Sequence, residues 1–450
     1  MAYDPFSDGL IPVVWDSDIA PQYYMPMVNG FTKATALSYL GRSDLDLANA
    51  YMADNGWPSQ LTIGVMPEDT WKAVSIKEKF IYPLSVHWWC SHNLELWQGH
   101  LKFPNMLVNL IQAKRGKILL NNMYEGWAAD IWIAIVDVIC SRYIMLTRDD
   151  FIVVSNNVAM CNTIKSIPHV NNQRYKQTSG PYATIDDMHA AIKKDLTNNV
   201  ARSNKFVSLN RQPSPCRWIV MTLLFPDRHM GLLSFGVFTD LNSYGGQFND
   251  LNAEYRNMIQ ERLKNENTLA WMAKNDFKIL APEIYGLYQD LNIEYELPLI
   301  IQDGIDIRTN PTADHSISKF VNSYLHIITE TYMQDNLPNR MHFSEKTFKP
   351  MWYLQPFVMC GQRHSLRYLQ DLGYKTFDIW IDERYDDISN DRDRTVAAIN
   401  AAKKFYDKTE TELNILLLEM MPILEHNYQQ LQRNSDLLHQ NLIAALRELL

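Results

Sequence analysis

"HFSEKTFKPMWYLQPFVMCG" occupies His342–Gly361. A polar, helix-opening segment runs straight into a short apolar run, "PFVMCG", that stops on glycine. Such a run, bounded by turn residues, reads as a buried strand. Ser344 is a good helix N-cap, and Pro350 alternatively opens a helix at its first position. In either case a helix N-terminus lies close to Lys346 and Lys349. Helix followed by buried strand is the repeating unit of a parallel α/β sheet.

The pattern recurs on both sides of this stretch. Toward the N-terminus, "LIPVVWDSD" (Leu10–Asp18), "GKILLNNMYEG" (Gly116–Gly126) and "DFIVVSNN" (Asp150–Asn157) read as buried strands with polar tips. "WAADIWIAIVDVICSRYIML" (Trp127–Leu146) has helical length and near-continuous apolarity, and so reads as a buried helix. "KFVSLNRQPSPCRWIVMTLLF" reads as a strand at Phe206–Leu209, a polar loop and a helix. "FKILAPEI" (Phe277–Ile284), "ELPLII" (Glu296–Ile301) and "YLHIITET" (Tyr324–Thr331) are further strand candidates. "SIPHVNNQRYKQTSGP" (Ser166–Pro181) reads as a loop or mobile linker. The expected division is residues 1–200, residues 201–392 and a helical segment over residues 393–450. In that last segment Leu417, Met421, Leu424, Tyr428, Leu431, Leu438, Leu442 and Leu449 keep a 3–4 spacing, and Pro422 predicts a kink. Packing on its own domain and a dimeric coiled coil both fit that spacing.

Composition narrows the class. The chain has 450 residues, 46% of them hydrophobic, and a formal net charge of −9. That length supports two or three cored domains. The acidic balance argues against a general polyanion binder but leaves room for a local basic groove. Five scattered cysteines without a CxxC pair suggest reduced thiols and a cytoplasmic protein. The N-terminal residues lack the apolar core of a signal peptide, and the longest apolar stretch is interrupted by Asp137 and Arg142, so no membrane span is expected.

Two clusters carry chemistry. In "SEKTFKP", Lys346, Lys349 and a helix N-terminus favour phosphate, while Glu345 suits sugar hydroxyls. Together these groups suit a nucleotide sugar. The same residues also read as a solvated Glu345–Lys349 pair worth about 0.3–0.5 kcal/mol. In "SLNRQPSPCR" (Ser208–Arg217), Asn210 and Arg211 follow a strand end and Arg217 opens a helix. Ligands of α/β sheets bind at the carboxyl ends of strands, and arginine can grip phosphate bidentately. A surface arginine in a proline-rich turn is the alternative.

Read together, "YLHIITET…HFSEKTFKPMWYLQPFVMCG" resembles the donor-binding segment of fucosyltransferase-like and exostosin-like glycosyltransferases of the GT-B type. "FVSLNRQPSPCR", "SEKTFKP", "QPFVMCG" and "SLRYLQDLGYKTF" look like a group of phage-encoded glycosyltransferases. The resemblance covers roughly Lys205–Phe377. It implies two Rossmann-like domains facing a cleft, a nucleotide-sugar donor on the C-terminal one and an acceptor on the N-terminal one. Under it, Glu345 holds the ribose, Lys346 neutralises the diphosphate, Arg211 meets the leaving phosphate and Glu330 sits near the donor sugar. Asn210, Arg217, Ser344 and Lys349 complete the donor set. The glutamate spacing departs from the fucosyltransferases, because "YMQDNLPNRMH" intervenes between Glu330 and Glu345.

An inverting reaction also needs a base near the acceptor hydroxyl. Glu125 in "NNMYEG" is the first candidate; Asp16 and Asp18 in "WDSD" are the others. "WDSD" also has the form of the Asp-x-Asp metal motif of GT-A enzymes, though it stands almost at the start of the chain. "HWWCSHNLELWQGH" offers His87, Cys90, His92 and His100 without a second zinc-type pair. The expectation is therefore no metal and no resident cofactor, with the nucleotide sugar as substrate. For the acceptor, Arg174, Tyr175 and Lys176 form a basic loop with an aromatic that could follow a phosphate backbone. Trp88 and Trp89 could stack on an extruded base. The expected partner is double-stranded DNA, the acceptor a 5-hydroxymethylated pyrimidine such as hydroxymethylcytosine. A surface glycan or protein acceptor, and a non-catalytic phage protein with a transferase-like fold, remain as alternatives.

Overall fold

A computed structural model describes residues 11–16, 61–66, 79–85, 103, 105–122, 129–155, 157, 165–168, 182–210, 215–235, 317–333 and 341–449. These form two compact units, each built on a parallel sheet. The first comprises Met1–Arg174, Leu337–Phe343 and Arg433–Leu450; the second comprises Tyr175–Asn336 and Ser344–Gln432.

In the first unit the strands are β1 (Ile11–Asp16), β2 (Leu61–Met66), β3 (Phe80–Ser85), β4 (Gly116–Asn122), β5 (Phe151–Ser155) and β6 (Ser166–Pro168). Their spatial order is β2-β1-β3-β4-β5-β6, with every pairing parallel. Ile118, Leu119, Leu120, Ile152, Val153 and Val154 are fully buried, so β4 and β5 are covered on both faces, as parallel sheets require. Helix α1 (Asn105–Gln112) and helix α2 (Ala129–Arg142) supply cover. Trp132, Ile135, Val136 and Ile139 form the buried stripe of α2 at 3–4 spacing.

The second unit repeats the plan. Its strands are β7 (Asn204–Asn210), β8 (Leu232–Phe235), β9 (Ser323–Thr329) and β10 (Phe357–Cys360), in the parallel order β10-β9-β7-β8. All seven residues of β9 are buried. The helices are α3 (Ile185–Thr197), α4 (Pro215–Leu224), α5 (Ile317–Val321), α6 (Glu345–Trp352), α7 (Ser365–Asp371), α8 (Asp391–Tyr406) and α9 (Glu410–Leu449), of which the residues up to Gln432 belong to this unit. Phe206 on β7 meets Tyr406 of α8 at a 5.0 Å ring distance, and α4 packs beside α8. Helix α6 covers the opposite face, where Thr347 reaches Glu330 at the end of β9. Helices on both faces of a parallel sheet make a doubly wound α/β layer.

Counted within each unit, both sheets begin with strand order 2-1-3-4. The direction of winding reverses at the first strand, between β1 and β3 in one unit and between β7 and β9 in the other. Crevices for ligands open at such switch points, beyond the carboxyl ends of the strands.

Some expectations changed on contact with the structure. Ser166–Pro168, expected within a loop, pairs with β5 as a short edge strand ending in proline. An edge position tolerates a proline, because one side of the strand needs no donor. The helical C-terminal stretch is two helices, broken between Tyr406 and Glu410. Leu417, Met421, Leu424 and Leu431 of α9 are buried, so this part of the stripe packs within the protein. The strand candidates "FKILAPEI" and "ELPLII" lie outside the described residues. None of the described helices is long and apolar enough to cross a membrane.

Candidate functional site

The best-defined polar cluster sits at the carboxyl edge of the second unit's sheet. β9 ends at Thr329 and the next residue, Glu330, donates its backbone N–H to the Cys360 carbonyl at 3.0 Å. Glu330 is 1% exposed, a setting that demands full hydrogen bonding of a carboxylate. One oxygen accepts the Ser344 N–H at 3.1 Å and the Thr347 hydroxyl at 2.5 Å. The other accepts the Thr331 N–H at 3.2 Å.

Helix α6 begins where expected. Ser344 is its N-cap in extended conformation, and the Ser344 hydroxyl accepts the Lys346 N–H at 3.3 Å. The Lys346 ammonium donates to the same hydroxyl at 3.2 Å. The Thr347 N–H turns back to the Ser344 carbonyl at 3.2 Å. The Ser344, Lys346 and Thr347 amides are thus spent inside the protein. A phosphate approaching α6 would meet lysine ammonium groups rather than these three amides.

Lys349, one turn on, is half-buried and its charge reaches His326 of β9. Burial first, and the Lys349 charge second, push His326 down to about 3. His326 is therefore neutral at physiological pH, a core residue beneath the helix.

On the other side of the switch point lies Asn210, the last residue of β7. It is fully buried and donates from Nδ2 to the Ser208 hydroxyl at 3.1 Å. The β7–β9 register runs through Phe206↔Leu325 and Val207↔His326. Carried to the strand end, it sets Asn210 against Thr329. Arg217 lies in the first turn of α4 and is 7% exposed. Asn210, Arg217, Glu330, Ser344, Lys346 and Lys349 therefore belong to elements that start or end along one sheet edge. Glu345 is the first residue of α6.

The remaining candidates divide simply. Asp16 is the last residue of β1, next to the first unit's switch point. Glu125 follows the end of β4 by three residues and lies outside the described residues, as do Asp18, Trp88, Trp89, Arg174, Tyr175, Lys176 and Arg211. His87, Cys90, His92 and His100 lie outside them as well.

Sequence reasoning passed over Thr347, which shares the Glu330 oxygen with Ser344. Its only signal was its place three residues after the N-cap, where a side chain faces back toward the start of the helix.

No protein-family model and no curated protein matches the chain. Among solved structures, the chain is similar to an α,α-trehalose-phosphate synthase (UDP-forming) from Burkholderia xenovorans, in complex with glucose-6-phosphate. The identity is 10%, the TM-score 0.39, and the match covers 97% of this chain and 100% of that one. A likeness at that score carries no argument about this chain's chemistry.

Proposed function

We propose that the chain is a glycosyltransferase that takes a nucleotide sugar at the carboxyl edge of the second unit's sheet. One observation supports this above others. Two sequence segments more than a hundred residues apart, each carrying residues suited to phosphate or sugar chemistry, start or end along the same edge of one sheet. That edge is the switch point where α/β sheets bind ligands.

In this reading Lys346, Lys349, Arg217 and Arg211 face the diphosphate, and Glu345 holds the ribose. Transfer joins an acceptor oxygen to the anomeric carbon and breaks the bond from that carbon to the diphosphate. Negative charge builds on the leaving nucleotide, and fixed cations stabilise it there without a metal ion. The acceptor's proton passes to a carboxylate, with Glu125 first and Asp16 or Asp18 next.

For the acceptor, the reading favours a 5-hydroxymethylated pyrimidine in DNA. Its support is the sequence cluster Arg174, Tyr175 and Lys176, a basic patch in an acidic chain. The test is mass spectrometry of nucleosides from hydroxymethylated DNA incubated with the protein and a panel of nucleotide sugars. A sugar-mass adduct on the modified base is the expected result. Donor turnover with no nucleoside adduct would move the acceptor to a glycan or protein. No turnover and no nucleotide binding would leave a non-catalytic protein.

A further inference from the structure

Glu330 was expected near the donor sugar, yet both of its oxygens are committed within the protein. Its carboxylate takes hydrogen bonds from the Ser344 amide, the Thr347 hydroxyl and the Thr331 amide. Its own amide is tied to Cys360 at the end of β10. The residue thus joins three elements: the end of β9, the end of β10 and the first turn of α6. It is 1% exposed, and Thr347 is fully buried. A buried carboxylate beside a helix N-terminus is held there by charge-assisted hydrogen bonds and by the helix dipole.

We infer that Glu330 is a positioning residue, not a proton-transfer group: it sets the first turn of α6 and through it the place of Lys346. This rests on the donor-site reading above. The coupling runs through Ser344. Glu330 fixes the Ser344 backbone, and the Ser344 hydroxyl in turn receives both the Lys346 amide and its ammonium. Remove the carboxylate and the N-cap loses its anchor. Lys346 would then sample many orientations, and an anion would pay to order it again. The dipole at α6 would also lose its internal anion, so the site would lose geometry and not cationic charge.

The two roles predict different numbers for the isosteric variant. In Glu330→Gln the amide oxygen can still accept from Ser344 and Thr347, while the amide nitrogen faces the Thr331 N–H. A positioning role therefore predicts nucleoside diphosphate affinity within about threefold of wild type, and kcat likewise. Glu330→Ala should lower that affinity about tenfold, the loss expected of a charge-assisted bond. Proton transfer predicts instead that Gln and Ala are alike, each losing kcat by about 10²–10⁴ with little change in affinity.

The experiment measures calorimetric binding of UDP, GDP, ADP and CDP to the full chain and both variants, with donor turnover in parallel. Hydrogen exchange across residues 344–347 is followed on the same samples without nucleotide. The expected result is faster exchange there in Glu330→Ala, near-wild-type exchange in Glu330→Gln, and the affinity split given above. A collapse of kcat in Glu330→Gln would overturn the proposal. So would unchanged exchange and unchanged affinity in Glu330→Ala. If wild type binds none of the four nucleotides, the donor-site reading fails and the proposal falls with it. Wild-type binding with no difference among the variants overturns the positioning role alone.

Discussion

A carboxyl group at Glu383 is held out of its ordinary range by its surroundings. Burial raises its affinity for a proton most, hydrogen bonds from Phe377 and Thr376 offset part of this, and Asp378 and Asp386 add to the rise, leaving it at about 7. An unfolded chain releases this proton near 4.3, so between about pH 4.3 and 7 the folded state binds more protons than the unfolded one. Stability contributed by this group therefore falls as pH rises through that window and is level above it. Glu383→Gln should remove the slope, gaining about 3 kcal/mol relative to wild type on going from pH 4 to pH 8. Urea unfolding at a series of pH values reads this directly; parallel curves for the two proteins would refute it. Arg394 presents the opposite case, a buried charge with every role filled. It donates to the carbonyls of Gly361 at 3.1 Å, Ile388 at 2.7 Å and Met333 at 2.6 Å, and pairs with Asp391. Arg394→Ala removes the buried ion pair with Asp391 and the bonds to three carbonyls, and should cost about 3–5 kcal/mol. Denaturant midpoints check that value, and a loss under 1 kcal/mol would show the network to be dispensable.

The end of α6 carries a backbone strain with a measurable signature. Leu354 follows the helix C-cap with φ 46°, in the left-handed region, and is fully buried. The Gln355 N–H closes back on the Pro350 carbonyl at 3.0 Å, a helix stop that glycine usually fills. Leucine is kept here by its burial. Leu354→Ala loses that burial and keeps the strain, for about 2–5 kcal/mol. Leu354→Gly loses the same burial but relieves the strain, so it should be the more stable of the two, the reverse of their order inside a helix. Thermal unfolding ranks them, and Ala above Gly would contradict the assignment. The strands legible in sequence were β1, β4, β5, β7, β9 and β10, each on a short, mostly apolar run. β2, β3 and β8 were passed over; Gly64 and Pro83 punctuate the first two. The Ser344 N-cap was legible because capping is local. The Glu330 bond to Thr347 was not, because it exists only once α6 folds back on β9.

Two parallel sheets that begin with the same strand order were beyond the sequence, since strand order is decided by pairing across tens of residues and not by any local run. The α/β class was within it, because helix and buried strand alternate visibly on both sides of "SEKTFKP". At this scale the proposed function makes two predictions. Transfer should persist in excess chelator, because side-chain cations serve the diphosphate; loss restored by manganese or magnesium would favour the "WDSD" metal reading instead. DNA affinity should fall steeply with salt, and removing Arg174 and Lys176 together should flatten the slope by about two phosphate contacts. Salt-independent binding would end the DNA reading.

The most direct test of the donor site is a calorimetric titration of a nucleotide-sugar panel into the wild-type chain and into the Glu345→Ala/Lys346→Ala double variant. The account predicts that at least one nucleotide sugar binds wild type, and that the double variant binds it at least about tenfold more weakly with its thermal midpoint near wild type. Equal affinity for that ligand in both proteins would contradict the assignment of the "SEKTFKP" helix, and no binding of any nucleotide sugar would contradict the function itself.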